Sequence, residues 1–222
     1  MQPVILEVAL NGSTPKRANP HVPRSSAELV ADALACLEAG AAIVHTHIDD
    51  FAAAPECATA LYLEHFEPVL ARRPDALLYP TVGSGATVAE RMAHEEALAA
   101  RGVLRIGVVD PGSVNLGGAD AEGVLPWSVA VLGGDVFEHG LARAALERGG
   151  HLRVGLEDFA GARTPTNAEL VAEAARLCAA LGRPLATPGG GEASRPPALS
   201  VATRRGRSRQ RDGRCWTQKN GV

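Results

Sequence analysis

The chain has 222 residues, of which 46% are hydrophobic and 21% are charged, a balance typical of a globular protein of one or two domains. This composition excludes a collagen-like or wholly disordered chain, and no apolar run reaches the roughly 18 residues that a membrane helix needs. The first residues lack the positive start and long apolar stretch of a signal peptide, so we expect a soluble, cytoplasmic protein. No CxxC pair is present, which excludes a cysteine zinc knuckle.

The net charge of −3 hides a strong asymmetry along the chain. Residues 1–192 hold 14 Lys and Arg against 24 Asp and Glu, whereas residues 193–222 hold eight against one. The basic end has no hydrophobic periodicity, so we expect a barrel-like catalytic domain over 1–192 and a disordered tail over 193–222. An arm that binds nucleic acid is the alternative for the tail, because clustered guanidinium groups attract phosphate.

Apolar, β-rich runs alternate with helical patterns along the first half of the chain, which is typical of βα units around a parallel sheet. Four strands are predicted, at 4–10, 42–48, 76–82 and 103–109. Three helices are predicted between them, at 26–38, 58–72 and 88–100.

The alternation breaks at residues 110–126, which are rich in Gly and Pro and lack a helical period. It resumes with strands predicted at 127–132 and 151–156, and with helices predicted at 135–148 and 167–181. Six βα-like units fit either an open doubly wound sheet or part of an eight-stranded barrel, since about 250 residues is typical of the complete barrel. No G-x-G-x-x-G motif opens the first helix.

Polar residues follow the predicted strand ends, where either architecture places its site. They are Asn11, His47, Thr81, Asp110, Asn115, Glu157 and Asp158.

His45 and His47 are two residues apart near the end of the second predicted strand, so both side chains project from the same face. A catalytic zinc commonly takes three protein ligands and leaves one position open. Glu157 is the leading candidate for the third ligand, because the last strand of a closed barrel lies beside the first. A pair of histidines with only a structural role is the alternative.

Two further patterns predict substrate contacts. Arg153 and Glu157 share one face of the last predicted strand and Asp158 follows, which fits an arginine and carboxylate group that holds an anionic substrate and positions a base. A salt bridge at a strand end is the alternative. The glycine-containing turn 81–85, with Thr81 and Ser84, is typical of backbone amides that face a carboxylate or phosphate.

Several segments together resemble one family, the β-keto acid cleavage enzymes, typified by the 3-keto-5-aminohexanoate cleavage enzyme. The resemblance covers roughly residues 3–188 with one interruption. The segments that carry it lie at 11–16, 19–23, 39–47, 114–118, 149–158, 166–171 and 181–188.

The resemblance implies a (β/α)₈ barrel that uses zinc to condense a β-keto acid with acetyl-CoA, giving acetoacetate and an acyl-CoA. It also implies a homo-oligomer, commonly a tetramer. Carried over by motif, the implied zinc ligands are His45, His47 and Glu157. The implied catalytic pair is Arg153 with Asp158, and the implied substrate contacts are Thr81, Ser84 and Asn115.

The chain departs from the family pattern in three places. Where the family has a substrate-contacting Glu after strand one, this chain has Ser13 or Thr14. Where the family has an Arg after the second zinc histidine, this chain has other residues, within 48–50. Relatives carry about 70 more residues after the 114–118 motif, enough for two βα units of such a barrel. We therefore expect an incomplete barrel that lacks strands five and six, with the junction near 118–126. An inactive remnant that keeps at most a zinc site is the alternative function.

Overall fold

The computed structural model describes residues 2–108 and 126–188. The strands of this part are β1 (Leu6–Ala9), β2 (Ile43–Thr46), β3 (Leu77–Pro80), β4 (Ser128–Val129) and β5 (His151–Val154). Its α-helices are α1 (Ser26–Ala39), α2 (Pro55–Arg72), α3 (Val88–Ala100), α4 (Leu141–Glu147) and α5 (Asn167–Ala180). Asn115, the predicted junction and the basic tail lie outside the described residues, apart from residue 126 of the junction.

The five strands form one parallel sheet in the order β3-β2-β1-β5-β4. β1 lies at the centre of the sheet and pairs with β5, the last strand of the described residues. In a closed barrel the first and last strands pair in the same way. Helices connect the parallel strands and bury the apolar residues of the sheet. The predicted fold class, a parallel α/β fold corresponding to part of a (β/α)₈ barrel, is confirmed.

Three helices begin with the same capping arrangement. In each, the side-chain hydroxyl of the residue before the helix accepts a hydrogen bond from the backbone N–H of the residue three positions later. That later residue is a glutamate, and its carboxylate accepts a hydrogen bond from the backbone N–H of the residue before the helix. The pairs are Ser25 with Glu28, Thr87 with Glu90, and Thr166 with Glu169. The predicted helices at 26–38, 88–100 and 167–181 are therefore confirmed to within one residue.

The buried amide of Asn167 joins the two central strands to the helix layer. Its Nδ2 donates to the backbone oxygen of Leu10 over 2.8 Å and to Asp32 Oδ2 over 2.7 Å. Its Oδ1 accepts from the backbone N–H of Leu156 over 2.8 Å. The carboxyl ends of β1 and β5 are thereby held together, and the candidate site lies at this edge.

The strand predicted at 103–109 is wrong, because residues 103–108 form no strand. Arg105 donates two hydrogen bonds of 2.7 Å to the backbone oxygens of Pro74 and Ala76, which places the segment beside the start of β3. In the described part of the chain, β3 is the edge of the sheet, and side-chain hydrogen bonds of Arg105 take the place of strand pairing there. Apolar composition alone therefore overestimated the number of strands.

The helix predicted at 135–148 begins later than expected. A short 3-10 helix covers Glu138–Gly140, and α4 starts only at Leu141. His139 has a φ of 55° and Gly140 a φ of 74°, so two successive left-handed residues prevent one continuous helix.

None of the helices in the described part of the chain combines the length and the apolar character that a membrane-spanning helix requires.

Candidate metal centre

His45 and His47 stand at the carboxyl end of β2, and neighbouring strands fix both of them. His45 Nδ1 lies 3.3 Å from the backbone oxygen of Tyr79. This contact favours the tautomer with the proton on Nδ1, which leaves the Nε2 lone pair free. The buried side chain of Asn11 clamps the His47 backbone, accepting from its N–H over 2.9 Å and donating to its oxygen over 3.0 Å.

Three candidate ligand atoms, from His45 and His47 at the end of β2 and from Glu157 in the loop after β5, lie close together. His45 Nε2 lies 2.9 Å from His47 Nε2, and Glu157 Oε2 and Oε1 lie 3.4 and 3.3 Å from these two nitrogens. Ligand atoms at tetrahedral positions about 2.0–2.1 Å from a zinc ion lie about 3.3 Å from one another. The two contacts of the Glu157 carboxylate match this separation, whereas the 2.9 Å between the two imidazole nitrogens is shorter. The group of His45, His47 and Glu157 therefore has the donor types of a zinc site and nearly its spacing.

The protonation states of the cluster also suit a cation. Burial lowers the pKa of His45 to about 3, so its ring is neutral at pH 7. Burial alone would raise the pKa of Glu157, but the hydrogen bond to His47 and the electrostatic interactions with the two imidazoles and with Arg153 lower it to about 2. Glu157 Oε2 is buried without a hydrogen-bond partner in the structure. An unpaired buried carboxylate oxygen is costly unless a cation or donor completes it.

Arg153 connects the cluster to a second carboxylate. Its Nε and Nη2 bind Asp158 Oδ2 and Oδ1 over 2.7 and 3.2 Å, and Nη2 also donates to Glu157 Oε1 over 3.0 Å. Burial opposes the charged form of Arg153, but these carboxylates raise its pKa above the ordinary value. Asp158 is only 4% exposed, so this two-pronged pair is largely removed from water.

Sequence reasoning missed two residues of this network, Glu7 and Tyr79. Glu7 Oε1 accepts from Arg153 Nη1 over 3.0 Å and from the Tyr79 hydroxyl over 2.5 Å. A single charged residue inside the apolar run 4–10 was a signal, because a charge in a buried strand needs a partner. Its partners lie on β5 and β3, so only the strand order reveals them.

Thr81 and Ser84 line a small cavity at the carboxyl end of β3, and none of the three candidate ligands lines it. Phe51 also lines this cavity, and its ring packs edge-on against His47 at 5.2 Å between centroids. Ser84 Oγ donates to the Phe51 backbone oxygen over 2.5 Å. The Glu90 carboxylate accepts hydrogen bonds from the backbone N–H groups of Ala86 and Thr87, just before α3. These two N–H groups are therefore bound to a carboxylate of the protein itself.

The fold and the site together define a barrel-type parallel α/β protein whose charged side chains gather at the carboxyl ends of the strands. The family model for the beta-keto acid cleavage enzymes matches this chain over residues 3–121 and 119–191. The chain therefore belongs to the β-keto acid cleavage enzyme family, and the resemblance read from its motifs is confirmed.

Three relatives from bacteria have similar sequences. The chain is 27% identical to 3-oxoadipate:acetyl-CoA acetyltransferase of Cupriavidus necator, covering 84% of this chain and 92% of the relative. It is 26% identical to the 3-keto-5-aminohexanoate cleavage enzyme of Fusobacterium nucleatum, covering 85% of this chain and 96% of the relative. Against the enzyme of that name from Acetoanaerobium sticklandii it is 24% identical, over 85% and 96%.

The lengths of these alignments show that the relatives contain residues that this chain lacks. The alignments run over 264 to 267 positions, more than the 222 residues of the chain, so each relative has residues with no counterpart here. The two stretches matched by the family model meet at residues 119–121.

Proposed function

We propose that this chain is a zinc-dependent β-keto acid cleavage enzyme that condenses a β-keto acid with acetyl-CoA. The carboxymethyl unit of the keto acid is transferred to the acetyl group and gives acetoacetate, while the remaining acyl group leaves on the CoA thiol. The observation that carries the proposal is the convergence of His45, His47 and Glu157 beside the Arg153–Asp158 pair. The printed name of the Cupriavidus relative, an acetyl-CoA acetyltransferase, supports the co-substrate.

The proposed metal ligands are His45 Nε2, His47 Nε2 and the Glu157 carboxylate. Two neutral imidazoles and one carboxylate are a common ligand set for catalytic zinc. When bound, zinc supplies a Lewis acid for the keto and carboxylate oxygens of the substrate. The His45 Nδ1 contact with Tyr79 and the Asn11 clamp on His47 keep both rings oriented toward this position.

Asp158 is the proposed base. The hydrogen atoms between the keto and carboxyl carbons of a β-keto acid are acidic, so a positioned carboxylate can remove one before the new carbon–carbon bond forms. Arg153 holds Asp158 through two hydrogen bonds and stays cationic among the carboxylates of Glu7, Glu157 and Asp158. Thr81 and Ser84 are proposed substrate contacts in the cavity at the end of β3, and Asn115 is a third that rests on its place in the sequence and on the resemblance.

The activity is tested by measuring acetoacetate formed from acetyl-CoA and a panel of β-keto acids that includes 3-oxoadipate and 3-keto-5-aminohexanoate. We expect turnover with at least one substrate, and an Asp158→Asn variant should lose about 100-fold or more in kcat because it removes the base. Asp75→Asn is the matched control, since Asp75 pairs with Arg73 on an exposed surface away from the site. Wild-type protein that holds zinc but forms no acetoacetate from any substrate would contradict the proposal.

An inactive remnant that retains the zinc site is the second candidate function. The two matched stretches that meet at 119–121 favour it, because a barrel with fewer strands exposes sheet edges and part of its core. Stoichiometric zinc without acetoacetate formation is the outcome expected for this candidate.

A further inference from the structure

Glu7 is a charged residue in the middle of the central strand, and its position needs an explanation. β1 pairs with β2 on one side and with β5 on the other, and Glu7 lies directly opposite Arg153 in the register. The Glu7 side chain is 18% exposed and that of Arg153 is 20% exposed. A carboxylate that is mostly removed from water is costly unless it is paired and hydrogen-bonded. Glu7 therefore needs a partner such as Arg153 at this position.

Glu7, Tyr79 and Arg153 form a closed triangle of hydrogen bonds. Arg153 Nη1 donates to Glu7 Oε1 over 3.0 Å and to the Tyr79 hydroxyl oxygen over 3.2 Å. The Tyr79 hydroxyl donates its own hydrogen to the same Glu7 oxygen over 2.5 Å. Two strands, β1 and β3, thus contribute one group each to hold a single guanidinium nitrogen of Arg153, which lies on β5.

The triangle fixes the side of the guanidinium that faces away from the proposed base. The opposite atoms, Nε and Nη2, bind Asp158 and Glu157. A guanidinium is planar and rigid, so holding Nη1 sets the direction in which Nε and Nη2 point.

Tyr79 also contacts the candidate metal ligands. Its ring stacks on that of His45 with 4.4 Å between centroids, and its backbone oxygen faces His45 Nδ1. One residue of β3 therefore contacts both a proposed zinc ligand and the arginine beside the proposed base.

We propose that Glu7 and Tyr79 are a positioning pair that holds the Arg153 guanidinium in the orientation that aligns Asp158 for proton transfer. This inference rests on the proposed function. Neither residue touches Asp158 in the structure, so both act through Arg153. Errors of about 1 Å in the placement of a reacting group can cost about 100-fold in rate, which sets the size of the effect.

The kinetic test compares Glu7→Ala with Glu7→Gln in the zinc-loaded protein. The alanine variant should lose about 10- to 100-fold in kcat with a KM within about threefold of wild type, because substrate binding remains and alignment is lost. Glutamine keeps an acceptor oxygen for Nη1 and the Tyr79 hydroxyl, so it should restore kcat to within about fivefold of wild type. Tyr79→Phe, a milder change, should lower kcat in the same direction with bound zinc retained.

Glu173→Ala is the matched control, because it also removes a carboxylate from an arginine pair, here with Arg163, and it lies on α5 away from the site. It should leave kcat unchanged. A Glu7→Ala variant with bound zinc and wild-type kcat would overturn the inference, and so would a Glu7→Gln variant as impaired as Glu7→Ala.

A second measurement does not depend on turnover. In ¹⁵N NMR spectra, the Nη groups of Arg153 should give separate, slowly exchanging signals in the wild-type protein, identified by their loss in Arg153→Lys. In Glu7→Ala the Nη1 hydrogens lose the Glu7 acceptor and should exchange faster with water, while Nη2 stays bound to Asp158 and Glu157. Unchanged exchange of the Nη1 hydrogens in Glu7→Ala would overturn the inference. Wild-type protein with the restricted signals but no turnover would contradict the proposed function alone and leave the positioning role standing.

Discussion

Two buried carboxylates have pKa values shifted in opposite directions, and their neighbours explain the difference. Burial raises the pKa of Asp32 to about 6, because its hydrogen-bond donors are the uncharged amide of Asn167 and the thiol of Cys36. Burial acts on Glu157 as well, but the adjacent imidazoles and the Arg153 guanidinium more than offset it and lower the pKa to about 2. A buried carboxylate among cationic groups stays ionised, whereas one among neutral groups favours the proton.

Asp32→Asn should stabilise the protein at neutral pH. The native pKa of Asp32 is raised, so between about pH 4 and pH 6 the unfolded chain loses a proton that the folded chain retains. Stability is therefore lost as the pH rises through this window and stays lower above it. Asparagine removes that loss and keeps an acceptor for Asn167. We expect the free energy of unfolding at pH 7 to rise by about 1–3 kcal/mol, with little difference at pH 4.

Urea unfolding at both pH values measures this change. Asp75→Asn is the control, because an exposed pair with Arg73 lowers the pKa of Asp75 and this substitution should bring no gain at neutral pH. An Asp32→Asn variant that is equally stabilised at pH 4 and pH 7 would show that the gain has another origin.

The ligand group was predictable from single residues. His45 and His47 share a face because strand side chains alternate, and Glu157 follows the last predicted strand. The role of Glu7 was not predictable, because it depends on which strands flank β1 and on the register that places it opposite Arg153. Local spacing predicts which side chains share a face of one strand, but contacts between strands require the sheet order.

At the scale of elements, helical periodicity predicted the helices better than apolar composition predicted the strands. α1, α3 and α5 begin where a capping box closes the first turn, which is a local interaction. Residues 103–108 have a strand-like composition, but a strand also needs a partner on the sheet. Strand formation is decided by tertiary context, which the local pattern does not contain.

Gly155 follows β5 and lies against the backbone at the end of β1, so a side chain at this position would disturb the contact between the two strands. It has a φ of +136°, and a Cβ at this position would overlap the backbone oxygen of Ala9 at the end of β1. Gly155→Ala should therefore separate β1 from β5 and lower the free energy of unfolding by about 3 kcal/mol or more. Chemical denaturation measures this loss.

Gly102→Ala isolates the backbone contribution to that loss. Gly102 has a φ of +72° with open space around its Cα, so we expect a cost of only about 1 kcal/mol. Similar costs for the two variants would contradict the predicted clash with Ala9.

At the scale of the whole molecule, the site depends on the position of β1 between β2 and β5 in the sheet. His45 and His47 lie at the end of β2, and Glu157 follows β5. The alternation of strands and helices predicted a parallel α/β fold but left an open sheet and a barrel as alternatives. The contact between the first and last strands, together with the family match, decides for the barrel type.

The zinc content of the purified protein tests the central claim most directly, because it requires β2 and the loop after β5 to meet. We predict about one zinc per chain in the wild type and in the Glu173→Ala control, and loss of that zinc in both His47→Ala and Glu157→Ala. Folded wild-type protein without zinc, or undiminished zinc in both variants, would contradict the account.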